Sequence, residues 1–153
     1  MGTKRYLLET DLDTDFEVLA LHTSLPGFKL AFLLNQWIKS QFRRAPQDLY
    51  LQQTAFEYYL WEDSQQGIRC TLFQNKSQHE ETQPTNALNL FEVTLTKEVY
   101  LLAEAKSVPY LLKINEGPSA LDLKKSLEKH PQISMCYPIE DTRIKGQLNI
   151  LNE

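Results

Sequence analysis

The residues able to do chemistry in this chain are few and widely spaced. Its histidines are His22, His79 and His130, and its cysteines are Cys70 and Cys136. Enzymatic turnover needs an activated nucleophile, an acid–base pair or a metal held in fixed geometry. His22 closes an apolar strand, where an imidazole could stand at the strand's mouth, with Cys136 or Glu104 as its nearest conceivable partners. A histidine in that setting is more often a satisfied core residue. The two cysteines are too far apart for a metal knuckle, and buried free thiols are the expectation. His79, Glu80 and Glu81 are adjacent in a polar run and do not preset a coordination geometry. Asp11, Asp13 and Asp15 alternate as at the start of a calcium-binding loop. That loop needs glycine and glutamate where Phe16 and His22 stand, so a solvated strand entry is expected instead. The five glycines never cluster, which excludes a phosphate-cradling loop of P-loop or dinucleotide type. No catalytic residue set, cofactor or metal is expected.

Residue types that bind rather than react are better placed. Phe28 and Phe32 stand one helical turn apart, followed by Lys39, Arg43 and Arg44. On a helical wheel Leu30, Ala31, Leu33, Leu34, Trp37 and Ile38 share one broad apolar face. Phe28 and Phe32 fall nearly opposite that face, beside Asn35 and Lys39. Either a later segment covers them, or they form an exposed apolar patch for a partner or a second subunit. The first functional expectation is therefore a non-enzymatic protein-interaction or adaptor module, with a homodimer as one form of it. An alternative is an RNA-associated factor that uses Arg43, Arg44 and Lys39 with the nearby aromatics Trp37 and Phe42. The net charge of −4 weighs against a general nucleic-acid binder. A third reading places a small-ligand pocket or active site between the sheet and the first helix, near His22. No stretch of about 20 apolar residues could span a bilayer. The opening MGTKRYLLETDLD also lacks the apolar run of a signal peptide, so a cytoplasmic protein without membrane attachment is expected.

The elements that must position these residues follow from periodicity. At 153 residues the chain fits a single domain. Phe16 to Thr23 is apolar on both faces and reads as a strand covered on both sides. Pro26-Gly27 turns the chain into a first helix, Phe28–Ser40. Leu49 to Leu51 is a short strand candidate. Ala55 to Glu62 alternates, Asp63 to Gly67 turns, and Ile68 to Phe73 returns as a hairpin whose tyrosines and Trp61 read as cross-strand packing. Residues 74–89 are polar and read as a long, mobile surface loop. From Leu90, two or three extended segments follow, and Pro109 should mark a strand start or an edge. Ser119, with Asp122 three residues on, begins a second helix, Ser119–Lys129. Ile133 to Tyr137 is a last strand, and Gly146 to Leu151 a short edge piece. The expectation is one α+β domain, with an antiparallel or mixed sheet of about six to seven strands and two helices.

The segment Leu102-Ala103-Glu104-Ala105-Lys106-Ser107-Val108-Pro109-Tyr110 resembles the signature of the IPExxxVDY family, small uncharacterised proteins of Bacteroidota. Glu104, Val108 and Tyr110 match it, and Leu102 stands for the isoleucine. Ala103 replaces the proline and Pro109 the aspartate, as in a divergent member. HTSLPGFKLAFLLNQWI, FEYYLWED, Asn75-Lys76-Ser77, Leu111 to Ile114 and RIKGQLNIL are similar to the same family. The resemblance implies a bacterial protein with no assigned activity or cofactor. Glu104, the retained carboxylate, is expected as a structural hydrogen-bond acceptor rather than a general base.

Overall fold

The structure, a computed structural model, describes residues 16–51, 53–84 and 92–151. The elements are β1 (Glu17–His22), α1 (Gly27–Trp37), β2 (Arg43–Arg44), β3 (Leu49–Leu51), β4 (Thr54–Phe56), β5 (Tyr58–Asp63) and β6 (Ile68–Gln74). They continue with β7 (Lys76–Pro84), β8 (Glu92–Tyr100), a 3-10 turn (Ala103–Ala105), β9 (Tyr110–Glu116), α2 (Ala120–Leu127), β10 (Met135–Pro138) and α3 (Thr142–Leu151). Six strands form one sheet in the order β10-β1-β9-β6-β5-β2, and every neighbouring pair is antiparallel. β3 pairs with β4, and β7 with β8, as separate two-stranded ribbons. The class is α+β.

The sheet is covered on both faces, which is why β1 carries consecutive apolar residues. Alternation sends Leu19 and Leu21 into a first core, with Leu30, Ala31 and Leu34 of α1 and Leu123 and Leu127 of α2. Val18 and Ala20 enter a second core on the opposite face, with Phe56, Phe73, Leu102, Val108 and the α3 residues Ile144 and Leu148. Pro109 sits directly before central strand β9, where its missing N–H costs no ladder bond. The β5–β6 hairpin turns where the Asp63 carboxylate accepts from Gln65 N and Gln66 N, at 3.1 and 3.2 Å, and Gly67 takes φ 66°.

Four expectations need correction. Residues 76–84 of the expected surface loop are strand β7, paired residue for residue with β8. Its residues Lys76 to Pro84 are polar throughout and carry no hydrophobic alternation to mark a strand. The rest of that run, residues 85–89, lies outside the described residues. Second, Gly146 to Leu151 is not an edge strand but the C-terminal half of α3, giving three helices among the described residues rather than two. The i, i+4 pair Ile144 and Leu148 makes its buried stripe. Third, the extended pattern expected from Leu90 onward breaks after Tyr100; Leu101 and Leu102 turn inward to the second core. Fourth, α1 ends at Trp37 rather than Ser40. Asn35 draws the chain back, its Oδ1 accepting from Ser40 Oγ (2.7 Å) and Phe42 N (2.8 Å) and its Nδ2 donating to Phe42 O (3.1 Å). Lys39 takes the left-handed conformation at φ 55° that lets the chain leave the helix. Asp11, Asp13 and Asp15 lie outside the described residues.

Candidate interaction face and neighbouring clefts

The outer flank of α1 is apolar and open. Gly27, Leu30, Ala31 and Leu34 are buried, while Phe28 and Phe32 are 69% and 59% exposed. No described segment covers them. At 100° per residue they lie on the same side of α1 as Asn35. Asn35 grips Phe42, just before edge strand β2, so the Phe28–Phe32 flank is the one nearest that edge.

The cations expected beside them do not form one surface. Arg43 pairs with Leu60 and Arg44 with Tyr59. Tyr59 faces the first core under α1, so strand alternation sends Arg44 to the α1 side and Arg43 to the opposite face. Arg44 is engaged by Asp48 at 3.1 Å and Glu57 at 3.5 Å, and the Asp48 hydrogen bond raises its pKa further. Glu57 in turn accepts from the Tyr59 hydroxyl at 2.9 Å; burial first, and this bond second, push the Tyr59 pKa far up. A Cβ on Gly27 would stand 3.1 Å from Glu57 Oε2 and 3.3 Å from the Tyr59 ring, so a side chain where α1 begins would press on the Glu57–Tyr59 pair. Lys39 is exposed beyond the helix end. The stacking aromatics of the RNA reading are also spent: Trp37 stacks on His130 at 4.0 Å between ring centres, and Phe42 is buried against Trp61.

His22 borders a shallow cleft of about 620 Å3 with Thr23, Ser24, Lys76, Tyr110 and Ser134. Its polar groups mostly satisfy one another. His22 Nε2 and the Tyr137 hydroxyl lie 3.0 Å apart, Ser134 Oγ donates to His22 O (3.0 Å), and Thr23 Oγ1 accepts from Leu25 N (3.2 Å). The Tyr110 hydroxyl donates to Leu25 O at 2.7 Å, and burial pushes its pKa up to about 12. Lys76 Nζ pairs with Glu98 at 3.0 Å. A His22–Cys136 pair is excluded by register: Leu21 is opposite Cys136, and both face the first core, while His22 points to the other side. Burial pushes the thiols of Cys70 and Cys136 up to about 12 and about 11, and both cysteines are free and buried. Thiols held that high are poor nucleophiles at neutral pH. Among the described residues no group of three His, Cys, Asp or Glu side chains could hold a metal ion.

The IPExxxVDY-like segment is a clasp closed by Asn75. This fully buried side chain donates through Nδ2 to Ala105 O and Val108 O and accepts at Oδ1 from Leu102 N, each at 2.8 Å. Its backbone N–H donates to Pro109 O, and its carbonyl accepts from Leu101 N, again at 2.8 Å. Leu102 and Val108 anchor the segment in the second core and Tyr110 in the first. Glu104 stands exposed on the 3-10 turn and accepts none of these bonds. Sequence reasoning registered Asn75 only as part of the resemblance; one asparagine in a polar run gives no sign that it is the hub.

No family model, curated protein or solved structure matches the chain. Among the described residues no helix is long and apolar enough to cross a membrane.

Proposed function

We propose that this chain is a non-enzymatic protein-interaction module that docks its partner on the outer flank of α1. The observation that carries this is the exposure of Phe28 and Phe32, 69% and 59%, one turn apart on a helix that buries Leu30, Ala31 and Leu34 in the first core. Two adjacent exposed phenylalanines are an unusual cost for a surface unless a partner covers them. The acid–base and thiol groups, by contrast, are paired with one another or set on opposite faces of the sheet. A bacterial, cytosolic setting and membership of the IPExxxVDY family belong to the same proposal, on the strength of Glu104, Val108 and Tyr110. An RNA role draws less support, because Trp37 is stacked on His130, Phe42 is buried, and Arg43 and Arg44 face apart.

Sedimentation of the purified chain and affinity capture from its host's cytosol test this reading. The comparison is with a Phe28→Ser/Phe32→Ser variant of unchanged fold. Loss of self-association, or of a retained protein, in the variant alone is expected. A strict monomer that retains the same proteins with and without the two phenylalanines would sink the reading.

A further inference from the structure

A second cleft lies at the other side of the clasp, away from α1. It holds about 300 Å3 and is lined by Gln53, Thr54, His79, Lys97, Glu98, Val99, Tyr100, Ala103 and Lys106. Three walls meet there. The β7–β8 ribbon supplies Lys97 opposite His79, the β3–β4 turn supplies Gln53 and Thr54, and the Asn75-clasped segment supplies Ala103 and Lys106.

We propose that this cleft binds a phosphate-class oxyanion. Thr54 is only 3% exposed, yet among the described residues its hydroxyl has no hydrogen-bond partner, and it lines the cleft. Its oxygen is not sealed in the core but reaches the cleft, where it can donate to a ligand. Lys97 and Lys106 line the same space, and among the described residues neither forms an ion pair. The one carboxylate in the lining, Glu98, is drawn to Lys76 at 3.0 Å and accepts from the Tyr100 hydroxyl at 3.3 Å, so its charge is compensated. Two ammonium groups in a chain of net charge −4 make this a local positive site. Gln53 holds φ 68°, a sparsely populated conformation for a non-glycine residue; such positions gather at ligand sites. Donors on three walls suit a tetrahedral oxyanion, which accepts from every side, better than a planar carboxylate. The volume is at the low end for small-molecule sites, which favours phosphate or a small phosphomonoester.

Titration of the full, isotope-labelled chain with inorganic phosphate in low-salt buffer tests the assignment by amide chemical shifts. Saturable shifts at Thr54, Lys97 and Lys106 are expected. Lys97→Ala and Lys106→Ala should each weaken binding about tenfold, as loss of a charge-assisted contact does. Thr54→Val keeps the packing and should weaken it several-fold; the exposed lysine variants keep the test decisive if the valine variant folds poorly. Tighter binding of phosphoserine than of phosphate would assign the ligand as a phosphomonoester, and equal binding as the free ion. Unsaturable shifts, shifts of equal size at Lys124 and Lys129 on α2, or unchanged binding by both lysine variants would overturn the proposal.

Discussion

Replacement of Asn75 tests whether the motif-like segment is structural. Asn75→Ala removes one acceptor and two donated bonds at once, stranding Leu102 N–H and the Val108 carbonyl, while Ala105 O keeps its bond from Val108 N at 3.0 Å. Each bond is worth about 1 kcal/mol net, and a buried group left unmet costs about 1–3 kcal/mol. Water entering the vacated space offsets part of this, leaving a loss of about 3–4 kcal/mol, a large share of the roughly 5–15 kcal/mol that holds a domain folded. With a urea slope of about 2 kcal/mol/M, the midpoint should fall by about 1.5–2 M. Trp61, buried in the first core, reports the transition by fluorescence. Asn75→Asp sharpens the test because it keeps the shape and the acceptor for Leu102 N but turns an oxygen toward two carbonyls. A carboxylate there is disfavoured, so its folded pKa is raised above the unfolded value. Stability relative to wild type is then retained below the unfolded carboxylate pKa of about 4, where the protonated acid can still donate one bond, and is lost as pH rises through the folded value. Destabilisation by Asn75→Ala of less than about 1 kcal/mol would refute the clasp, since one ordinary hydrogen bond would explain it. So would an Asn75→Asp penalty that does not grow between acid and neutral pH.

Other outcomes follow from the same contacts. Gly27→Ala places a methyl 3.1 Å from Glu57 Oε2 and 3.3 Å from the buried Tyr59 ring, so thermal melts should show a loss of about 1–2 kcal/mol. Phe28→Ser/Phe32→Ser should shift stability by no more than about 0.5 kcal/mol in the same melts, because neither ring packs in a core. Cys70 and Cys136, with pKa values pushed up to about 12 and about 11 by burial, should resist a thiol-reactive disulfide reagent at neutral pH and react once denaturant exposes them. Tyr110, pushed up to about 12 from an ordinary value of about 10, stabilises the fold below pH 10, and that stabilisation is lost as pH rises toward 12. Tyr110→Phe should cost about 1 kcal/mol at neutral pH through the lost bond to Leu25 O, and its melting temperature should fall less steeply above pH 10.

What the sequence made legible was local. The apolar run of β1, the wheel of α1, the Ser119 cap accepting from Asp122 N at 3.2 Å, and the Asp63–Gly67 hairpin all follow from spacings of a few residues. Two elements escaped for opposite reasons. The β7 strand is polar throughout its sequence, so no hydrophobic alternation marks it and it reads as loop. The α3 helix has a short buried stripe, Ile144 and Leu148, within a run whose Gln147-Leu148-Asn149-Ile150 alternation imitates a strand. The residues proposed to bind, and the asparagine that holds one of their segments, divided in the same way. Phe28 and Phe32 were visible because a helical wheel places them without tertiary information; Asn75, Thr54 and Lys106 were not, because contacts distant in sequence assemble their surroundings.

Register, which composition cannot supply, decides which chemistry is possible. One residue's step along a strand moves a side chain to the other face. The pairing of Leu21 with Cys136 therefore separates His22 from the one thiol it could have activated, and the pairing of Arg44 with Tyr59 separates two neighbouring arginines that looked like one basic step. The same rule builds as well as divides. β7 opposite β8 brings Lys97 beside His79, and the clasp at Asn75 fixes the segment that carries Lys106 across the cleft from Thr54. The α1 flank and this cleft rest on different elements. Loss of Phe28 and Phe32 should leave phosphate binding intact, and loss of Lys97 and Lys106 should leave partner capture intact, whereas loss of Asn75 should weaken phosphate binding through Lys106 before it touches α1.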